Sequence, residues 1–125
     1  MIKPFVWLFI GGGLGSLGRY FLGRGCTAAL GGLWPYGTFG ANLLGCLLIG
    51  LAYSWLNHHH PHNVTAKLFI ITGCLGGFTT FSAFGLETWQ MVEKQAYLAA
   101  GLYATGSVLL GLGAVWVGTQ LYKVV

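Results

Sequence analysis

The sequence predicts an all-α integral membrane protein with four transmembrane helices, the third broken near its middle, and three observations carry that expectation. Of 125 residues, 55% are hydrophobic and 6% charged, against about 25% charged in an ordinary soluble domain. Six basic and two acidic side chains cannot clothe a water-facing surface. The charges also leave gaps between Lys3 and Arg19, Arg24 and Lys67, Lys67 and Glu87, and Lys94 and Lys123, and a membrane span needs about 20 mainly apolar residues. Finally, "GCLGGFTTFSAFGLE", from Gly73 to Glu87, crowds glycines, two adjacent threonines, a serine and three phenylalanines into one apolar segment. An interior glycine costs about 1 kcal/mol of helix propensity and β-branched neighbours add crowding, so something other than helix stability shapes this stretch.

The first helix is expected over about Pro4 to Arg24, with Pro4 harmless in a first turn where its missing N–H has no partner anyway. The connector "GCTAALGGLWPYG" leads to a second helix over about Thr38 to Trp55. A polar loop around Asn57 to Thr65 follows, then a third span over about Ala66 to Glu93 that contains the unusual stretch. The fourth helix covers about Tyr97 to Tyr122. Trp7, Trp34, Trp55, Trp89 and Tyr122 fall near these ends, as amphipathic aromatics at headgroup depth should, whereas Trp116 reads as a packing residue. Residues 1–125 form a single transmembrane domain.

Several motifs carry less than they offer. The first segment follows Lys3 as a secretory signal might, but no small-x-small cleavage site precedes a hydrophilic chain, so it is expected to remain as a span. Cys26, Cys46 and Cys74 lack metal-ligand spacing and are odd in number, which argues against a zinc site or a disulfide scaffold. "GLGSLG", Gly13 to Gly18, matches the dinucleotide fingerprint, yet no acidic residue precedes Glu87 to hold a ribose. Gly11 and Gly15 instead form a G-x-x-x-G pair suited to close helix approach. The "HHHPH" run from His58 reads as a solvated loop, and "NVT" at Asn63 is too common a match to carry weight. No nucleic-acid partner is expected.

With four spans, the termini and the His-rich loop share one side and carry Lys3, Lys67 and Lys123; the other side carries Arg19, Arg24 and Lys94. Three against three gives the positive-inside rule nothing to act on. Such a chain can insert both ways, and one copy in each orientation makes an antiparallel dual-topology homodimer. Small faces at Gly37, Ala41 and Gly45, and at Gly73 and Gly77, suit helix association, either between copies or within one monomer.

A polar track lacks internal charge. Thr38, Asn42 and Cys46 recur every four residues on the second helix, as do Tyr103, Ser107 and Gly111 on the fourth, so each set shares a face. A lone hydroxyl can bond the carbonyl four residues back, but the Asn42 amide cannot be satisfied so simply and calls for an interhelical or functional partner. Glu87 is the only acidic group inside a span, which argues against a proton exchanger with an ionisable relay. Arg19 could attract an anion to a mouth, or pair with Glu87 or with helix-end carbonyls. "GCLGG" followed by "TT" reads as a helix break, which frees carbonyls for a cation and N–H groups for an anion. Phe81 and Phe84 lie one turn apart, and ring edges are positive, so they can replace part of an anion's hydration; ordinary core packing is the blander alternative.

"GGGLGSLGRY", "GTFGANLLGC", "GGFTTFSAF" and "LYATGSVLLG", spread over most of the chain, together resemble the bacterial fluoride channels of the Fluc/CrcB family. The resemblance implies a dual-topology homodimer in the bacterial cytoplasmic membrane, two antiparallel pores that pass fluoride and reject chloride, and a structural Na+ at the dimer centre. It assigns Phe81 and Phe84 to the pore, Asn42 to the permeation route, and Tyr103 and Ser107 to a hydroxyl-lined track, with Thr80 and Ser82 adding hydroxyls. The carbonyls of Gly76 and Thr79 would hold the sodium, and Arg19 would sit near a vestibule. Gly111 and Ala83 depart from the fullest pattern and shorten the expected track. A small multidrug exporter would need a carboxylate in its first helix, which is absent. A non-transporting scaffold would need the glycine faces but not Asn42 and the broken aromatic segment, and an enzyme would need a His, Cys or acidic constellation inside the membrane.

Overall fold

The computed structural model describes residues 2–124, and all regular structure there is helical. Four helical stretches are long and apolar enough to cross a membrane. The first helix is Ile2–Leu30, six residues beyond the expected end, because "CTAAL" offers no breaker. It stops at Gly31, whose φ of +80° and N–H bond to the Thr27 carbonyl at 3.0 Å form a left-handed cap that glycine adopts without steric cost. The second helix, Tyr36–His59, starts behind Pro35 and runs into the histidine stretch. His59 Nε2 shares a hydrogen with Tyr122 Oη at 3.2 Å, so the expected loop shrinks to residues 60–63, and the Asn63 side chain caps the next helix by accepting from Ala66 N–H.

The third span has two limbs. The first, residues 64–78, is mostly a wide-turned helix: over Leu68–Leu75 the hydrogen bonds reach five residues back. The second is Phe81–Glu93, and between them Thr79 and Thr80 are extended. The break therefore falls on the threonine pair alone, and "GCLGG" stays helical. The fourth helix is Tyr97–Val124.

Packing interleaves the spans. The first helix lies parallel to the first limb of the third, and the second lies parallel to the fourth. Glycine sets both approaches. A Cβ at Gly11 would fall 2.6 Å from the Phe69 carbonyl oxygen, and one at Gly77 would fall 2.5 Å from that of Gly12. At Gly15 it would run into the Cys74 carbonyl, at Gly50 into that of Val115, and at Gly118 into that of Leu47. Gly37, Ala41 and Gly45 also face inward, Gly37 against Gly23 and Gly45 against Thr79, with Ala41 fully buried. These small faces build the monomer, so they lend no weight to association between copies. Trp116 is the opposite case: read as packing, it is 65% exposed and faces outward beside Leu109 and Leu110.

Gly15→Ala should destabilise the chain by about 1–3 kcal/mol, the usual cost of overpacking, while Gly13→Ala, with nothing within 4 Å of the added carbon, should leave stability unchanged or slightly raised. Thermal unfolding in detergent measures both.

Candidate functional site

The break is held by one side chain from the second helix. Thr80 N–H donates to Asn42 Oδ1 at 2.7 Å, and Asn42 Nδ2 donates to the Thr80 carbonyl at 3.0 Å. An amide carries one acceptor and two donors, so both sides of the Thr80 backbone are satisfied and one Nδ2 hydrogen remains. Thr79 folds its hydroxyl and its own N–H back onto the Leu75 carbonyl, each at 3.0 Å. Thr80 Oγ1 caps the second limb by accepting from Ala83 N–H at 3.2 Å and shares a hydrogen with Ser82 Oγ at 3.2 Å.

Four carbonyls, those of Gly76, Gly77, Phe78 and Thr79, lose their usual donors in this arrangement. Thr80 N–H would reach Gly76 in an unbroken helix but turns to Asn42; Ala83 N–H would reach Thr79 but turns to the Thr80 hydroxyl. Gly77 is served differently, accepting from Arg19 Nε at 3.3 Å and from Ser16 Oγ at 3.5 Å. Gly76, Phe78 and Thr79 thus present neutral carbonyl oxygens without a donor among the described residues. Among the described residues no group of three His, Cys, Asp or Glu side chains could hold a metal.

Beside the clasp lies a cavity of about 340 Å³. Asn42, Thr80, Phe81, Phe84 and Ser107 line it, with Cys46 on the same wall. Phe81 is 81% exposed and half-buried Phe84 lies 5.4 Å away, centroid to centroid, with the rings tilted by 47°. Ser107 Oγ is buried with no protein partner, an arrangement that favours water or a permeating species over a bare apolar wall.

Tyr103 shares the Ser107 face but not the cavity wall. Only 1% exposed, it donates its hydroxyl to Glu87 Oε2 at 2.7 Å, while Thr38 Oγ1 donates to Oε1 at 2.6 Å. Phe84 packs on one side of Tyr103 at 5.3 Å and Trp34 meets its edge at 5.2 Å. Glu87 also lines a second, polar cavity of about 380 Å³ beneath the connector, together with Gln90 and Lys94. Of the two partners the sequence offered Arg19, Glu87 or helix-end carbonyls, the structure takes the second, Nε reaching the Gly77 carbonyl, and gives Glu87 to two hydroxyls. The signal was present, because Glu87 follows Phe84 by three residues and so shares its helical face.

The sequence profile described as "CrcB-like protein, Camphor Resistance (CrcB)" matches residues 6–119. The chain belongs to the CrcB-like family. Among relatives of this CrcB-like protein, the "Fluoride-specific ion channel FluC" of Caulobacter vibrioides (strain NA1000 / CB15N) is 45% identical over 109 residues, 86% of each chain. Proteins with the same description from Caulobacter sp. (strain K31) and Flavobacterium psychrophilum are 46% identical over 114 residues, covering 90% of this chain and 89% of theirs, and 41% over 122 residues, 98% of each. With four apolar helices of spanning length, this CrcB-like chain is a multi-pass protein of the bacterial inner membrane.

Asn42→Ala should leave the N–H and carbonyl of Thr80 unpaired, at about 1–3 kcal/mol for each buried group. Hydrogen exchange at the Thr80 amide should accelerate severalfold while amides of the fourth helix keep their protection; unchanged Thr80 exchange would show that the clasp does not hold the break.

Proposed function

We propose that the protein is a fluoride-selective channel that lets the ion leave the cell passively through pores in an antiparallel homodimer. The cavity beside the Asn42–Thr80 clasp carries this reading: a free amide hydrogen, an orphaned serine hydroxyl and two phenylalanine rings meet there without a charged group. Neutral, repeated donors can replace a small anion's hydration while binding it weakly enough to let it go. Relatives described as fluoride-specific channels align over most of the chain, and the two spans that hold Asn42 and the break lie fully within the match.

In this proposal Asn42, Phe81, Phe84, Thr80, Ser82 and Ser107 face the route, and Tyr103 acts through Glu87 at its far end. Arg19 lends positive potential near a mouth. Na+ would be held by the Gly76 and Thr79 carbonyls, neutralising partial charge where two helix breaks meet. Two oxygens from one chain are too few for a cation, so the same pair from a second copy is needed to complete the set. Together with the three-against-three basic count, this supports opposite insertion of the two copies; the glycine faces do not, being spent within the monomer.

Purified protein in liposomes loaded with potassium fluoride and potassium chloride should, on adding valinomycin, release fluoride rapidly and retain chloride. No fluoride release from folded protein overturns the channel, equal release of both anions overturns its selectivity, and release that needs a proton gradient makes it a coupled transporter. Phe84→Ile should slow fluoride flux by about tenfold or more through loss of ring-edge contacts and leave assembly intact. For topology, a C-terminal reporter should appear on both membrane faces in comparable amounts; exclusive one-sided insertion sinks the antiparallel arrangement.

A further inference from the structure

A groove on the first helix is absorbed by these roles only at Arg19. Arg19, Tyr20, Gly23, Arg24, Thr27 and Ala28 line a depression of about 520 Å³, and both arginines enter it without an acidic partner. The chain has two acidic residues: both oxygens of Glu87 accept hydroxyls from Thr38 and Tyr103, and Glu93 Oε1 accepts from Trp89 Nε1 at 3.0 Å. Arg19 anchors itself through Nε to the Gly77 carbonyl, which leaves the terminal nitrogens of its fork uncommitted. Arg24 is steadied by Tyr20, with Nη1 donating to the phenol oxygen at 3.3 Å and the guanidinium carbon 6.0 Å from the ring centroid.

Depth and surroundings say what kind of anion fits. At 1.5 Å per residue, a hydrocarbon core about 30 Å thick takes about 20 residues, so a helix entering near Phe5 reaches the far headgroup boundary at Arg24. Arg19 lies about 7.5 Å deeper. The helix surface below the groove is apolar and outward-facing, with Leu14, Leu17 and Phe21 each more than half exposed. One guanidinium at headgroup depth and a second about 7.5 Å below it, beside an acyl-lined surface, match a phosphodiester with its chains, and arginine's planar fork suits phosphate oxygens.

We propose that this groove binds the headgroup phosphate of an anionic phospholipid, with Arg24 and Arg19 as donors, Tyr20 positioning Arg24, and the acyl chains lying along Leu14, Leu17 and Phe21. Arg19 is shared with the role near the mouth, but lipid binding is read apart from ion flux, so failure of the lipid site leaves the channel reading untouched, and the converse holds.

The test is native mass spectrometry of delipidated protein titrated with phosphatidylglycerol or phosphatidylcholine, on the unaltered chain and on Arg24→Gln, Arg24→Lys and Lys94→Gln. Phosphatidylglycerol should bind in preference to phosphatidylcholine, and Arg24→Gln should weaken it about fivefold, the usual worth of one basic residue at an anionic surface. Arg24→Lys should recover only part of that loss because lysine lacks the fork, and Lys94→Gln, on the same side but outside the groove, should change nothing. Full recovery with lysine, or an equal loss with Lys94→Gln, overturns a built site in favour of diffuse attraction. Arg19→Gln provides a second variant should Arg24→Gln fold poorly, with the same fivefold loss expected and no loss counting against the proposal. Millimolar inorganic phosphate should not displace the lipid; displacement would mark a small-anion site instead.

Discussion

In hydrocarbon a backbone polar group has no water to turn to, and the two-residue break at Thr79 and Thr80 lives or falls on that constraint. A helix interrupted there exposes several N–H and carbonyl groups at once. The Asn42 amide meets one of each on Thr80, the Thr80 hydroxyl meets the Ala83 N–H, and Thr79 closes onto Leu75. What is left over includes the carbonyls of Gly76, Phe78 and Thr79. The cavity, the aromatic pair and the second limb all take their positions from that arrangement.

The clasp also changes what Asn42 does. A side chain expected to serve the route directly is first a structural brace, with one hydrogen to spare. Tyr103 and Thr38 are likewise occupied, holding Glu87 on the wall of the second cavity. Polar groups in this chain therefore divide into those that satisfy the backbone or each other and a smaller set, chiefly Ser107 and the spare hydrogen of Asn42, that remains available.

Much of this was legible beforehand because apolar length and charge spacing are one-dimensional properties. The four spans and the presence of a break follow from them; helical spacing gave the separate faces, and the grouping of Asn42, Thr80, Phe81, Phe84 and Ser107 along one route came from the family resemblance. Element ends were not: Cys26 to Leu30 looked like a connector because glycines surround it, yet nothing in "CTAAL" stops a helix, and the histidines joined the second helix because Tyr122 holds His59. The glycine faces were ambiguous in principle, since a small residue fits an approach within a chain as well as one between chains; only the partner backbones of Gly15, Gly50 and Gly118 decide. For Arg19 both Glu87 and helix-end carbonyls were open; the carbonyl won because two hydroxyls on neighbouring helices already take Glu87.

The interleaved pairing of spans bears on biogenesis. Because the first helix packs on the third and the second on the fourth, no two consecutive spans form the chain's main contacts as a helical hairpin would. During synthesis the glycine-lined face of the first helix must wait in lipid until the third arrives, and Gly50 waits for the backbone of Val115 until the last helix is made. Glycine tolerates such a delay, since a bare backbone face offers a passing helix little to grip until its shape-matched partner is beside it. Assembly of the bundle is therefore tied to completion of the chain.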